Sequence, residues 1–221
     1  MSMSYLSLIV VTVAIGACAQ WYVNHQIKKY SHVPNTSGMT GYQVAVGMLQ
    51  YYGVYDVEVH MGGHGQNFFD PRTNSITLDP QSYNGASIDV PATACHEVGH
   101  ACQYAQGYMP MKVRGAMVPV VNFATNAWFI LLLIGIFLNI AGLVTLAIIF
   151  YAFAVLFQIV TLPVEFDASH RAMTYMATTG IPAGEQAGAW NVLRACALTY
   201  VAAALVSVLQ LLYYLNIFNE E

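Results

Sequence analysis

Charged residues are scarce in this chain, and their scarcity indicates the broad class of protein. Of 221 residues, 57% are hydrophobic and only 8% are charged, whereas a typical soluble globular domain has about 25% charged residues. We therefore expect a membrane protein. The chain has only seven lysines and arginines, and they form no basic patch. This lack excludes an electrostatic surface for nucleic acid.

The cysteines lack the close spacing of a redox or metal-binding pair. None of the four belongs to a Cys-x-x-Cys sequence. Cys18 and Cys196 lie in or beside apolar runs, where a thiol usually behaves as a small buried hydrophobic group. We expect no disulfide framework and a reducing compartment.

Four apolar segments contain no lysine, arginine, aspartate or glutamate, and each is about as long as the roughly 20 residues that cross a bilayer. These segments are 5–23, 118–138, 140–162 and 195–218. Only Asn139 and its neighbours separate the second from the third, so these two should form a tight antiparallel hairpin. The predicted parts are a first transmembrane helix (1–27), a polar portion (28–117), a transmembrane hairpin (118–162), a second polar portion (163–194), and a fourth transmembrane helix with its tail (195–221).

The positions of the basic residues predict an orientation. Lysine and arginine concentrate on the cytoplasmic side of a membrane protein. All seven lie in the two polar portions or at the start of the fourth span: Lys28, Lys29, Arg72, Lys112, Arg114, Arg171 and Arg194. We expect a multi-pass protein of the cell membrane, with both polar portions in the cytoplasm and both termini outside.

The first span has a second interpretation, as a cleaved signal peptide. Ala17, Cys18 and Ala19 resemble a signal-peptidase site, but a signal peptide begins with basic residues. The first four residues contain none, and Lys28 and Lys29 follow the apolar run instead. This arrangement favours an uncleaved anchor.

Local patterns in the first polar portion predict mixed α and β structure. Apolar residues at helical spacing predict a helix over 40–52, and Gly53 is a typical C-terminal cap. Apolar and polar residues alternate over 54–60, which predicts a β-strand there. The stretch 68–78 has turn-forming residues between two short apolar segments and predicts a β-hairpin. A further helix should begin at 87–91, capped by Ser87 or Asp89.

One short motif in that helix predicts a metal site. His96, Glu97 and His100 form the pattern His-Glu-x-x-His. Its two histidines face the same side of a helix and can bind one metal ion, and the glutamate can act as a base. The alternative is a pair of buried core histidines with an ion-paired glutamate. Burying such groups without partners is costly, and a cation removes the cost.

A catalytic zinc ion usually takes three protein ligands, so one more must come from elsewhere. The best candidate is Glu165, in a helix expected to start at Pro163. Asp167 would point about 200° away from Glu165 around the helix. The alternative for Glu165 is an acidic residue that only stabilises a helix N-terminus. The remaining candidate ligands are His60, His64 and His170.

Beyond these motifs, the sequence resembles the YugP-type membrane zinc metallopeptidases over most of its length. The resemblance lies in SGMTG at 37–41, FDPRTN at 69–74 with Leu78, YNG at 83–85 with HEVGHACQ at 96–103, and LPVEFDAS at 162–169 with LTYVAAAL at 198–205. The resemblance implies a gluzincin-like membrane peptidase, distantly similar to the HtpX-type and CAAX-prenyl proteases. In such proteins a downstream glutamate completes the site, which supports Glu165.

Three positions depart from the family pattern. Phe68 stands where the family has a histidine, and His170 replaces a common arginine, so no role is carried over at either position. Ser169 stands where the HtpX-like pattern has aspartate. The resemblance then implies that the Ser169 hydroxyl, rather than a carboxylate, hydrogen-bonds a ligand histidine and gives it weaker support.

These observations predict a mainly α membrane protein with about four transmembrane helices and a small α+β, zincin-like cytoplasmic portion that contains a β-hairpin. The predicted activity is zinc-dependent endopeptidase cleavage, with Glu97 as base and Zn²⁺ on His96, His100 and Glu165. His170 or Arg171 would stabilise the oxyanion, although Arg171 has the alternative role of a positive membrane anchor.

The expected partners are the lipid bilayer and a peptide or membrane-protein substrate, with an oligomer or a regulatory partner left open. The strand edge of the 68–78 hairpin is a candidate peptide-binding surface; an ordinary surface hairpin is the alternative. A catalytically silent, zinc-stabilised scaffold or adaptor is the second hypothesis for function. A zinc transporter is the third, but it would need charged residues inside the spans, and these spans hold only neutral polar residues such as Asn122, Asn126 and Gln158.

Overall fold

The fold is mainly helical, with one small sheet. A computed structural model describes residues 5–219, so the predicted positions of residues 1–4 and of Glu220 and Glu221 lie outside the described part. In chain order, its elements are α1 (Tyr5–Tyr30), α2 (Gly41–Tyr51), β1 (Glu58–Met61), β2 (Phe68–Asp70), β3 (Ser75–Leu78), α3 (Pro80–Asn84), α4 (Asp89–Ala105), α5 (Met109–Phe137), α6 (Ala141–Thr178) and α7 (Ala183–Asn219).

Four helices are long and apolar enough to cross a membrane: α1, α5, α6 and α7. Large apolar side chains cover their outer surfaces, as at Phe137, which is 89% exposed. Such surfaces suit contact with lipid tails rather than water. The predicted mainly α architecture is confirmed, with four helices that are able to span a membrane.

The membrane helices are longer than the predicted spans, and one predicted boundary is wrong. The sequence suggested that a separate helix starts at Pro163, but α6 continues through this proline. Proline is tolerated inside membrane helices, where neighbouring helices and side chains satisfy the freed backbone groups. The third span and Glu165 therefore share one continuous helix.

Helices α5 and α6 form a helical hairpin at the position where the sequence predicts a membrane hairpin. Helices α5 and α6 are joined around Asn139, which adopts a left-handed conformation with φ of 54°. Gly135 permits the two helices to meet closely, because a Cβ atom there would lie 2.9 Å from the backbone nitrogen of Val144. Leu132, Val144 and Ala147 form a small buried cluster between the helices.

The small sheet has the order β1-β3-β2. Strand β2 pairs antiparallel with β3, which confirms the predicted hairpin over 68–78. Strand β1 pairs parallel with β3, and its first pair joins Glu58 to Ser75. The predicted strand over 54–60 therefore begins too early. At Val54 the backbone is still hydrogen-bonded to the end of helix α2, because its N–H donates a hydrogen bond to Leu49 O. Val54 is therefore not available for strand pairing.

Helix termini agree with the sequence in one case and differ in another. Thr40 and Gln43 form a capping box at the start of α2, and Gly53 follows that helix with φ of 69°. Helix α4 begins at Asp89, but the predicted capping by Ser87 or Asp89 is wrong. Its cap residue is Ile88, which makes no side-chain capping bond. The Ser87 hydroxyl is used otherwise, because it donates to Asp89 Oδ1 at 2.6 Å.

One short helix, α3, was not predicted. Asp79 caps it by accepting a hydrogen bond from Ser82 N at 2.6 Å, and Pro80 occupies its first turn. Helices α2 and α4, the sheet and parts of α6 and α7 share one buried core. This core fixes α4 against α6.

Candidate metal centre

Helix α4 lies in the centre of the core and presents two imidazoles to one side. Most of its residues from Ala92 to Cys102 are buried. His96 and His100 are one turn apart, with ring centroids 4.7 Å apart and an angle of 81° between the rings. The two Nε2 atoms can therefore point to a common position.

Helix α6 passes very close to α4 at Gly99. A Cβ atom on Gly99 would lie 2.7 Å from the backbone oxygen of Ala168 and 2.9 Å from its Cα atom. Real Cβ atoms do not approach backbone this closely, so only glycine fits. Gly99 lies between the two histidines in sequence, and Ala168 lies one turn beyond Glu165. The contact therefore brings Glu165 to the histidines.

The Glu165 carboxylate completes a three-residue group. Its Oε2 atom lies 3.2 Å from His96 Nε2 and 3.6 Å from His100 Nε2, and the side chain is almost fully buried. Candidate ligand atoms of the three residues all lie within 4.8 Å of one another. Two imidazole nitrogens and a carboxylate oxygen match the donor set of a catalytic zinc site. The residues thus fit a zinc ion.

Other candidate ligands lie elsewhere. Across the part of the chain that the structure describes, His96, His100 and Glu165 are the one group of three or more that could hold a metal. His64 is exposed, His60 is exposed and pairs with Glu58 at 3.1 Å, and His170 is exposed on α6. The structure does not bring these three histidines to the site.

Each of the two candidate ligand histidines, His96 and His100, has a polar partner on its second ring nitrogen. Ser169 Oγ lies 3.2 Å from His96 Nδ1, the contact that the resemblance implied. His100 Nδ1 lies 3.1 Å from Gln103 Oε1. Such partners fix the tautomer and the orientation of a metal-binding imidazole.

Gln103 was not predicted as a functional residue, although it also contacts the other helix. It is fully buried. Its Nε2 atom donates to Val164 O at 2.7 Å and to Asp167 Oδ2 at 2.9 Å. The amide therefore joins the His100 ring to α6 on either side of Glu165. A sequence signal existed, because Gln103 follows His100 by three positions and shares its helix face.

Arg171 has partners that hold it away from the ligand cluster. Its Nε donates to Asp167 Oδ2 at 2.6 Å, and its Nη1 donates to Gln106 Oε1. The guanidinium also lies over the ring of Tyr108. The oxyanion role of Arg171 or His170 stays a prediction, and these contacts give it no support.

Glu97 and Glu165 together influence His100. Burial lowers the pKa of His100, but the hydrogen bond to Glu165 and the charges of both carboxylates outweigh burial, and the pKa is raised. Glu97 is itself buried, with 8% of its surface exposed. A second carboxylate therefore lies at the centre without belonging to the ligand group.

Comparison with known proteins agrees with this geometry. Residues 5–219 match the family described as "Putative neutral zinc metallopeptidase". The chain is also 40% identical over 218 residues to a protein of Bacillus subtilis (strain 168) named "Putative membrane protease YugP", covering 98% of this chain and 97% of that protein. No solved structure matches. The chain belongs to this family of zinc metallopeptidases.

Proposed function

We propose that this protein is a membrane-bound zinc endopeptidase, with Zn²⁺ held by His96, His100 and Glu165 and with Glu97 as the general base. The observation that carries the proposal is the convergence of two imidazoles and a carboxylate from two helices within 4.8 Å. A buried group of this kind is costly unless a cation shares it. The family and the relative's name support the same conclusion.

In the proposed hydrolysis, the metal and Glu97 have separate roles. Bound zinc supplies Lewis-acid activation of water and of the peptide carbonyl. Glu97 directly follows His96 and is buried beside the ligands. It accepts a proton from the attacking water and then donates it to the leaving amine. The peptide C–N bond breaks, and no covalent bond to the protein forms.

A free strand edge supports extended binding of the peptide. Strand β2 is at the edge of the sheet. It packs on the helix that carries the motif, since the rings of Phe69 and Tyr104 lie 5.7 Å apart. A substrate in extended form would add to β2 through main-chain hydrogen bonds. An edge strand beside the helix that carries the motif is the zincin-like part of this proposal.

The proposed location is the cytoplasmic face of the cell membrane. His96 belongs to the polar portion 28–117 and Glu165 to 163–194, and their contact at 3.2 Å requires both portions on the same side. The basic residues favour the cytoplasmic side. Substrates would then be membrane proteins, their segments next to the bilayer, or misfolded chains.

A zinc-stabilised scaffold is the second candidate. The contact between His96 and Glu165 favours it. A metal shared by α4 and α6 would hold the two helices together whether or not a reaction occurs. Glu97 discriminates between the candidates. A purely structural site does not need a carboxylate that is outside the ligand group.

The test is a metal assay followed by substrate trapping. Purified wild-type protein and the Glu97→Gln variant should each bind one zinc ion, and a His96→Ala/His100→Ala variant should bind none. In native membranes Glu97→Gln should retain substrates that the wild-type protein then cleaves when it is added. If the zinc-free double variant retains the same proteins equally well, the proposal is wrong.

A further inference from the structure

Four hydrogen-bonded side chains form a row that begins at the His100 ring, on the side away from Glu165: His100, Gln103, Asp167 and Arg171. Gln103 Oε1 lies 3.1 Å from His100 Nδ1, and Gln103 Nε2 lies 2.9 Å from Asp167 Oδ2. The same Oδ2 atom accepts a hydrogen bond from Arg171 Nε at 2.6 Å. Two charged residues that are not candidate ligands are therefore connected to a candidate zinc ligand.

The contacts of Gln103 determine which way its amide points. A backbone carbonyl and a carboxylate accept hydrogen bonds and do not donate them. Gln103 meets one of each, Val164 O at 2.7 Å and Asp167 Oδ2. The amide nitrogen must face these two acceptors, because an amide oxygen placed there would leave buried groups unpaired. The amide oxygen therefore faces His100.

This orientation determines which nitrogen of the His100 ring carries the proton. A neutral imidazole has one donor nitrogen and one acceptor nitrogen. The Gln103 oxygen can only accept, so His100 Nδ1 carries the hydrogen, and Nε2 keeps its lone pair for a metal ion. His96 differs, because the Ser169 hydroxyl opposite its Nδ1 atom can either donate or accept. Of the two candidate ligand histidines, His100 is thus the one whose tautomer is fixed by its partner.

Arg171 holds the far end of the row in place. Its Nη1 donates to Oε1 of Gln106, the residue that ends α4, and its guanidinium lies over the ring of Tyr108. The backbone oxygen of Arg171 accepts a hydrogen bond from Tyr52 OH at 3.2 Å. These contacts fix the guanidinium. The guanidinium in turn fixes the Asp167 carboxylate, which is only partly buried and could otherwise turn toward water.

We propose that Asp167 and Arg171 are positioning residues of the metal centre, which act through the Gln103 amide to keep the proton of His100 on Nδ1 and its Nε2 free for zinc. The inference rests on the metal site of the proposed function and not on the hydrolysis. It gives Arg171 a role that differs from oxyanion stabilisation, because a group that stabilises only the oxyanion affects turnover and leaves zinc affinity unchanged.

Zinc affinity of an Arg171 variant separates positioning from a simple effect of charge. It is measured in detergent by competition with a chromophoric chelator. Removing a positive charge near a cation should strengthen zinc binding if charge alone matters. If Arg171 positions Asp167, Arg171→Met should instead weaken zinc binding by about tenfold, the low end of the effect of losing support for a metal-binding histidine. Arg72→Met is the matched control and should bind zinc normally, because Arg72 pairs with a different aspartate, Asp70, at 2.8 Å.

Two substitutions of Asp167 separate its hydrogen bonds from its charge. Asp167→Asn loses the charge but keeps an oxygen that can accept from Gln103 and Arg171, so it should bind zinc nearly as tightly as the wild-type protein. Asp167→Leu loses both and should weaken binding by about 10- to 100-fold. Equal losses by the two variants overturn the inference, as does tighter or unchanged zinc binding by Arg171→Met. If Arg171→Met does not fold, the two Asp167 variants alone decide.

Proton NMR of the cobalt-loaded protein detects the His100 proton itself. Co²⁺ binds to the same kinds of nitrogen and oxygen ligands, and its unpaired electrons shift the ring N–H signals of ligand histidines away from all others. Two such signals are expected, and Ser169→Ala identifies the one from His96. The His100 signal should exchange with water faster in Asp167→Leu and Arg171→Met than in the wild-type protein or Asp167→Asn. Unchanged exchange in both of the first two variants overturns the inference.

Peptide hydrolysis by the wild-type protein is measured separately. A protein that binds zinc but hydrolyses no peptide contradicts the proposed reaction and not the positioning role. A protein that binds no zinc contradicts both the metal centre and the positioning role.

Discussion

Gln103 connects the histidine motif to α6, the helix that carries the proposed third ligand. One end of its amide contacts His100, and the other donates to Val164 and Asp167. Because the residue is fully buried, none of these bonds can be replaced by bulk water. Its removal would leave several polar groups unpaired.

We expect Gln103→Met to weaken zinc binding by about 10- to 100-fold, the usual effect of losing a partner of a metal-binding histidine. Methionine keeps the length of the side chain but cannot donate to α6. The measurement is competition with a chromophoric zinc chelator. Gln50→Met, on an exposed face of α2, is the control and should bind zinc normally. Equal affinities for both variants would show that Gln103 has no role in orienting His100.

The pH dependence of zinc binding follows from His100. Both histidines must be neutral to bind zinc, so affinity should fall as pH falls. The raised pKa of His100 makes this fall begin at a higher pH than for an ordinary histidine. Glu165→Gln removes a main cause of the shift, and it should move the onset to lower pH while weakening binding overall. Zinc titrations between about pH 5.5 and 8 test this, and an onset that does not move contradicts it.

The close crossing of α4 and α6 at Gly99 is the main feature at the scale of elements. Small residues such as Ala94 and Ala101 surround the motif in the sequence, but the sequence alone does not show that backbone meets backbone at Gly99. It likewise could not show that α6 continues through Pro163, since the decision depends on packing between helices. Glu165 was predictable because its chemistry and the family resemblance agree.

We expect Gly99→Ala to destabilise the protein by about 1–3 kcal/mol, because the added methyl group must push the helices apart, and to weaken zinc binding. Gly115→Ala is the matched control. Its Cβ atom would meet nothing within 4 Å, so this substitution should be neutral or stabilise the helix by about 0.5–1 kcal/mol. Thermal unfolding in detergent and zinc titration measure both effects. Indistinguishable behaviour of the two variants would contradict the close approach.

At the scale of the whole molecule, four helices able to span a membrane are joined to a polar portion formed from two separate parts of the chain. The spans were predictable because lack of charge over about 20 residues is a strong local signal. The parallel pairing of β1 with β3 and the contact of Gln103 with α6 were not, because both depend on residues distant in sequence.

The orientation of the molecule has its own test. In protein whose native cysteines have been replaced, Asn139→Cys should react with a membrane-impermeant maleimide in intact cells. Thr73→Cys, in the turn between β2 and β3, should react only after permeabilisation, because the polar portions are expected in the cytoplasm. The reverse pattern would place the metal centre outside the cell.

Peptide hydrolysis by purified protein tests the central claim most directly. Wild-type and Glu97→Gln proteins, each with one zinc ion per chain, are compared on the same peptide. Loss of the general base should lower kcat by about 10²- to 10⁴-fold while zinc content stays the same. Undiminished hydrolysis by the zinc-loaded Glu97→Gln protein would contradict the assignment of Glu97 and the proposed reaction.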